Sequence, residues 1–306
     1  MSSHGAVMPF PRSKGIIMVL IAAIFWGISG TFAQYLFEVK GFTASWLVVN
    51  RLLLSGLILL FYSHAVKKQN IFTIWKARKD RVKLMVFGIL GMLGVQYTYF
   101  LAIQHGNAAT ATVLQYLAPV LIACYVFVKL NKLPAKYELA AIILALVGTF
   151  LLVTNGNVHS MSISGKAFFW GILSAFALAF YTLFPGELLN KWGSYIIVGW
   201  GMFIGGICFS FISPPWVFKG NWSFSSFMAV VAVIMLGTVI AFFCYMESLK
   251  YLSASETSLL ACAEPLSAAF LSVAWLHVPF GTAEWVGTFC IIATIIIFST
   301  VKKQKT

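Results

Sequence analysis

SASETSLLACAEPLSAAFLSVAW, residues 253–275, is an apolar run with Glu264 and Pro265 at its centre. A helix rising about 1.5 Å per residue needs about 20 residues to span roughly 30 Å, the hydrocarbon thickness of a bilayer. Glu264 then falls near the midplane, where a carboxylate is costly and is usually functional. The run has a counterpart, NAATATVLQYLAPVLIACYVFVK at 107–129, with Pro119 in the place of Pro265. Tyr99 and Glu138 match Tyr245 and Glu284 at the same shift of about 146 positions. The sequence reads as two copies of one membrane module.

Composition leaves few other classes. The 306 residues are 60% hydrophobic and 9% charged, against about 25% charged in a soluble domain. So few charges do not coat a water-exposed surface, and lipid is the main solvent. A net charge of +13 does not indicate nucleic acid, because the basic residues lie between apolar runs rather than on one groove-sized face. The five cysteines fall inside apolar runs without CxxC spacing and read as small packing residues, neither disulfides nor metal ligands. Arg12 and Lys14 before an apolar run resemble a signal peptide, but 16–37 is too long and aromatic for one and is the first span.

The expected fold class is all-α integral membrane, with ten transmembrane helices in two inverted five-helix repeats. The spans are 16–37, 43–63, 82–103, 107–129, 136–154, 166–189, 194–213, 226–249, 254–275 and 281–300. They are too long for barrel strands, and in lipid a helix satisfies its own backbone. Gly106-Asn107 and the capping-box pattern Ser253-Ala-Ser-Glu256 open the fourth and ninth. Residues 1–15 and 301–306 are cytoplasmic tails, 16–154 the first repeat, 155–165 an external linker and 166–300 the second repeat. With the N-terminus inside, 17 of the 21 Lys and Arg fall on the inner side, three (Lys40, Lys166, Lys219) outside, and Arg51 within a span, as the positive-inside rule requires. Five spans per copy is odd, so the second copy enters upside down. Its loops agree: the basic loop 64–83 corresponds to 213–225, which has only Lys219. Duplication with inverted charge bias marks inverted-repeat transporters, whose site lies at the repeat interface near the midplane.

Among the acids only Glu264 is deep, and its counterpart is Ala118. It suits proton carriage or amine binding; the plainer alternative is a neutral acid hydrogen-bonded to a neighbouring helix. Pro265 frees a backbone carbonyl near Ala261, either kinking the span or facing a cavity, and Pro119 does the same in the first copy. Arg51 lies roughly 12 Å deep by helical rise. It binds a carboxylate or phosphate, pairs with Glu264, or snorkels to the headgroups. Gln96 and Tyr99 share a face with Met92 and Ile103, Phe242 and Tyr245 take the matching places, and Gln115 lies one turn before Ala118. Trp26 stands among Gly27, Ser29 and Gly30. These polar handles and aromatics around Glu264 form the pattern of a small-solute cavity. Trp75, Trp192, Trp216 and Trp222 belong to the interfacial aromatic belt. Ala167, Gly171, Ala175 and Ala179, with Gly201 and Gly205 and with Gly88, Gly91 and Gly94, mark close helix contacts. No Walker A or HExxH motif occurs, so no catalytic, cofactor or metal residue is assigned.

Trp26-Gly27, Arg51, Leu117-Ala-Pro119 and Glu264-Pro265 together resemble the EamA-type proteins of the drug/metabolite transporter superfamily, across essentially the whole chain. AATATVLQYLAPV and CAEPLSAA are similar to the branch described as carboxylate, amino acid and amine transporters. The resemblance implies a central cavity, alternating access, a bacterial inner membrane and movement of metabolites, commonly amino-acid export. Where many such proteins carry Glu soon after the fourth helix of each repeat, this chain has Lys132 and Val278. The expected partners are a small metabolite, protons as a candidate coupling ion, the lipid bilayer, and no nucleic acid; a homodimer stays open. The alternatives are a passive facilitator, a nucleotide-sugar or lipid carrier, which would need more deep basic residues, and a membrane enzyme, which would need a partner for the one deep acid.

The charge bias makes a topology prediction. On a cysteine-free background, Lys219→Cys is expected to react with a membrane-impermeant maleimide in intact cells, and Lys68→Cys only after permeabilisation. Equal labelling of both before permeabilisation contradicts the assignment.

Overall fold

The computed structural model describes residues 12–106, 108–130, 135–154, 164–267 and 281–301. The described chain is helical, without strands. Its helices are α1 (Arg12–Glu38), α2 (Ala44–Val66), α3 (Arg78–His105), α4 (Ala108–Gln115), α5 (Ala118–Leu130), α6 (Lys136–Thr154), α7 (Gly165–Leu183), α8 (Gly186–Trp192), α9 (Ser194–Ser210), α10 (Phe224–Ser248), α11 (Ala254–Leu260) and α12 (Thr282–Val301). Five of these, α1, α2, α3, α7 and α10, are long and apolar enough to cross a membrane. Side-chain hydroxyls start several: Thr43 caps α2, Ser164 caps α7, and capping boxes at Ser223/Ser226 and Ser253/Glu256 open α10 and α11.

Three expected spans differ from single helices, each at a proline. The stretch 107–129 breaks at Tyr116-Leu117 into α4 and α5, just before Pro119. The stretch 254–275 breaks at Ala261-Cys262, before Pro265, and continues as helix over 263–267; residues 268–275 lie outside the described residues. The stretch 166–189 ends at Leu183, and Glu187 sits on α8 beyond Pro185. A proline has no N–H to give the preceding turn and its ring crowds the carbonyl four residues back. Tight turns fill the gap, Leu117 N to Leu114 O at 3.2 Å and Cys262 N to Leu259 O at 3.1 Å. Ten continuous spans are therefore not what the helices themselves display.

The two halves meet through their equivalent helices. A side chain on Gly56 of α2 would meet the Phe203 backbone of α9 at 2.7 Å; one on Gly206 would meet Leu53 at 2.9 Å, and one on Gly199 would meet Leu60 at 3.0 Å. Positions rise along one helix as they fall along the other, so α2 and α9 cross antiparallel. Under the shift of about 146 positions, Leu53 corresponds to Gly199 and Leu60 to Gly206. The contacts 53–206 and 60–199 thus exchange when the halves are swapped, the reciprocity of a two-fold contact. The remaining major pairings obey the same swap: α1 packs on α10 as α7 packs on α3, and α6 packs on α12.

Small residues permit these approaches. Gly88 of α3 faces the Gly201 carbonyl, and Gly205 faces the Gly88 carbonyl. On α7, Gly171 abuts Leu114 while Ala167 and Ala175 are buried. The opposite face of α7 presents Phe168, Phe169 and Phe176 to the exterior, an apolar surface suited to acyl chains. Gly91 departs from the packing expectation, lying against its own helix's Phe87 ring. Helices α3 and α10 also loosen into π-helical turns at matching places, Phe87–Leu93 and Met235–Ile240. Three ion pairs join the halves, Arg12–Glu256 (3.0 Å), Lys191–Asp80 (2.6 Å) and Lys83–Glu187, all at the end carrying the basic loops.

The α2–α9 crossing leaves no room at Gly56. Gly56→Leu is expected to lower the thermal unfolding midpoint in detergent by several degrees or abolish folded protein, since overpacking costs about 1–3 kcal/mol or more. Gly186→Ala, where an added carbon meets nothing within 4 Å, should leave it unchanged.

Candidate functional site

The breaks at Pro119 and Pro265 open onto one cavity. It is lined from α1 by Trp26, Ser29 and Gly30, from α2 by Arg51, and from α3 by Val95, Gln96, Tyr99 and Phe100. The first break contributes Gln115, Tyr116 and Pro119, α7 Leu178 and Tyr181, α10 Phe242 and Tyr245, and the second break Ser258, Ala261 and Glu264. The cavity with its mouth encloses about 660 Å³. All seven residues singled out from the sequence, Glu264, Arg51, Gln115, Gln96, Tyr99, Tyr245 and Trp26, stand on this wall.

Glu264 is buried three residues past the break. The Tyr99 hydroxyl lies 3.3 Å from its Oε1 and the Tyr116 hydroxyl 3.2 Å from its Oε2. Tyr116 also donates to the Ala261 carbonyl at 2.7 Å, the carbonyl that Pro265 deprives of its helical donor. Thr112 joins Tyr99 at 3.0 Å and donates to the Ala108 carbonyl at 2.7 Å. Each hydroxyl owns one proton. With the Tyr116 proton on Ala261 and the Thr112 proton on Ala108, only the Tyr99 proton remains for Glu264 and Thr112. Five contacts thus share three hydroxyl protons, and a proton carried by Glu264 on Oε2 supplies a fourth, to the Tyr116 oxygen.

Arg51 realises neither the expected pairing with Glu264 nor the snorkelled alternative. It is buried, donates from Nε to Thr238 Oγ1 at 2.8 Å and from Nη2 to the Gly237 carbonyl at 3.2 Å. Its guanidinium lies over the Phe100 ring at 4.5 Å and over the Phe242 ring at 5.9 Å from the centroids. The π-helical turn of α10 explains the docking, because it shifts the backbone ladder around Gly237 and Thr238. Thr238 Oγ1 itself reaches the carbonyl five residues back, Val233, at 2.8 Å. Cation–π contact and neutral acceptors hold the charge without a counter-ion.

An aromatic wall completes the cavity. Trp26 sits 5.0 Å from Tyr245 and 5.2 Å from Phe242, and Tyr181 stacks on Tyr245 at 5.6 Å. The Tyr245 hydroxyl bonds Thr182 at 2.9 Å. Sequence reasoning missed Tyr116, Tyr181 and Phe100. In an unbroken helix Tyr116 points about 100° away from Gln115; the break turns both inward. The only advance signal was its place next to Gln115, directly ahead of the proline turn. Tyr181 and Phe100 are hidden among 28 Phe and 11 Tyr. Among the described residues no cluster of His, Cys, Asp and Glu is placed to hold a metal ion.

Comparison with known proteins adds the family. The model of the EamA-like transporter family matches residues 13–154 and again 165–300. The uncharacterized inner membrane transporter YicL of Salmonella typhimurium is 42% identical over 94% of this chain and 95% of its own length. The uncharacterized transporter YwfM of Bacillus subtilis is 25% identical over 95% of each. A solved crystal structure 17% identical in sequence superposes with a TM-score of 0.75 over 96% of this chain and 99% of its own, a likeness of fold.

The double role of Tyr116 sets a ranking. Tyr116→Phe removes the hydroxyl shared by Ala261 and Glu264. It is expected to lower thermal stability by about 0.5–1.5 kcal/mol, the net worth of a hydrogen bond, since the Glu264 N–H stays on the Ala261 carbonyl at 2.9 Å. Tyr99→Phe, whose hydroxyl serves no backbone carbonyl, should cost less. Equal midpoints for the two variants in detergent would contradict the assignment of Ala261 to Tyr116.

Proposed function

The chain belongs to the EamA-like transporter family, and on that premise we propose a secondary transporter that moves an amino acid or related amine or carboxylate by alternating access. The family is one of membrane transporters and not of enzymes. In this reading 16–154 and 166–300 are inverted repeats of five spans, 155–165 is an external linker, and both tails are cytoplasmic. The protein resides in a bacterial inner membrane, like the relative YicL, and works in export.

One observation carries the reading: Glu264 and Arg51 are buried on the same cavity wall without pairing to each other. Burying two opposite charges apart forgoes their mutual attraction, and such a layout persists where a ligand completes it. A zwitterion offers an ammonium to Glu264 and a carboxylate to Arg51. Glu264 alternates between a proton and the solute's amine, which couples transport to proton movement. Gln96, Gln115, Tyr99, Tyr245 and Trp26 line the path. A nucleotide-sugar carrier is less well supported, since Arg51 is the one cation on the cavity wall among the described residues. A passive facilitator differs in kinetics, giving flux without saturation or counterflow.

Proteoliposomes test the coupling. Wild-type uptake of radiolabelled amino acids is expected to saturate, show counterflow and respond to an imposed pH gradient. Glu264→Gln, which keeps a neutral hydrogen-bonding group, should retain counterflow and lose the pH response. An unchanged pH response in that variant removes the proton role, and linear flux removes the carrier.

A further inference from the structure

Three polar groups on the cavity wall have no hydrogen-bond partner among the described residues. Both amide atoms of Gln96, the Trp26 indole N–H and the Tyr181 hydroxyl are buried and unmatched. Gln96 is 3% exposed and Tyr181 is fully buried. Buried polar atoms in folded proteins are nearly always paired, and each unpaired one costs free energy. A Leu or Met of similar volume would fill the Gln96 position without that cost. The cost is localised too, because Glu264, Tyr99, Tyr116, Arg51 and Tyr245 on the same wall all have partners.

The unmatched atoms have a chemical signature. Gln96 presents a donor and an acceptor side by side in one plane, Trp26 adds a donor, and Tyr181 adds a group that is either. None carries charge. The rings behind them are nearly parallel where Tyr181 meets Tyr245 (25°) and Phe87 (15°), while Trp26 meets Phe242 edge-on. Such a wall accommodates a flat group and hydrogen-bonds its edge.

We infer that Gln96 is a specificity-determining residue, and that the cavity selects solutes bearing a planar, uncharged amide-type edge, such as a carboxamide or a lactam ring. This rests on the cavity being the solute site. It divides the ligand: Glu264 and Arg51 serve its ionic groups, while Gln96, Trp26 and Tyr181 read its neutral group. A site whose buried polar groups need partners rejects an analogue lacking them far more strongly than an apolar pocket rejects an extra hydroxyl.

The test uses the purified full-length protein and equilibrium binding, read by thermal shift and by displacement of intrinsic tryptophan fluorescence changes. Two ligand pairs separate the neutral end from the ionic end. Glutamine and norleucine are both zwitterions, and only the first has a carboxamide. Nicotinamide and 3-acetylpyridine lack the zwitterion and differ by NH₂ against CH₃. The carboxamide member of each pair is expected to bind about tenfold more tightly. Gln96→Leu should erase that preference by weakening the carboxamide member alone. Should Gln96→Leu fail to fold, Gln96→Met serves, and the wild-type comparison stands by itself. Equal affinity within both pairs for the wild type overturns the inference, as does a preference that survives loss of the amide. If only the nicotinamide pair discriminates and neither amino acid binds, the zwitterion reading fails and the role of Gln96 stands.

Discussion

Backbone carbonyls in a bilayer need donors inside the protein. With its helical donor removed by Pro265, the Ala261 carbonyl takes the Glu264 N–H of a tight turn at 2.9 Å and the Tyr116 hydroxyl at 2.7 Å. Pro265 opens the carbonyl and the broken helix before Pro119 brings a hydroxyl to it, so the second half's interruption is completed by the first's. The same 2.7 Å contact holds the Tyr116 oxygen 3.2 Å from Glu264 Oε2 and so helps place the deep carboxyl. Remove the prolines and both helices run straight, Tyr116 turns off the cavity wall, and the network around Glu264 loses its shape. The chemistry of the site is a by-product of satisfying the backbone.

Two-fold repetition supplies the frame and departures from it supply the site. The glycine contacts of α2 with α9 exchange under the swap of halves, and the π-helical turns of α3 and α10 fall at matching positions. Yet Glu264 stands where the first half has Ala118, and Arg51 stands where the second half has Ile197. The π-helical turn of α10 alone receives a guanidinium. A symmetric cavity would offer a ligand two equal orientations; the added charges leave one.

The sequence revealed the wall of the cavity better than its wiring. Apolar run lengths, the position of the two prolines and the shift of about 146 residues identify the repeated helices, because hydropathy in lipid is a strong local constraint. Glu264 and Arg51 stand out because charge inside such runs is rare. What Arg51 touches was not legible, since its partners are a carbonyl and a hydroxyl nearly two hundred positions away, exposed by a π-helical turn that no residue pattern announces. Tyr116 was hidden for a related reason. Its orientation depends on a break whose place is set by Pro119 but whose angle is set by packing against the other half. Span counting suffered likewise, as periodicity cannot tell a kinked helix from two short ones.

The cavity's position also bears on how little energy a change of state requires. Its wall draws on both halves, so a solute inside contacts each of them and is gripped differently as they move. At the basic end the halves are joined by Arg12–Glu256, Lys191–Asp80 and Lys83–Glu187. In the last two, Lys83, Glu187 and Lys191 are exposed and only Asp80 is largely covered, at 15% exposure; pairs with exposed partners contribute about 0–1 kcal/mol. Only Glu256, with its side chain 5% exposed and engaged in the α11 capping box, belongs to a more protected contact. On the alternating-access proposal, a ligand shifts the equilibrium by its difference in affinity for two states, and contacts this weak leave that difference to decide which end opens. On the same proposal the close packing at the glycine crossings is what holds each half together while the halves rock about the site.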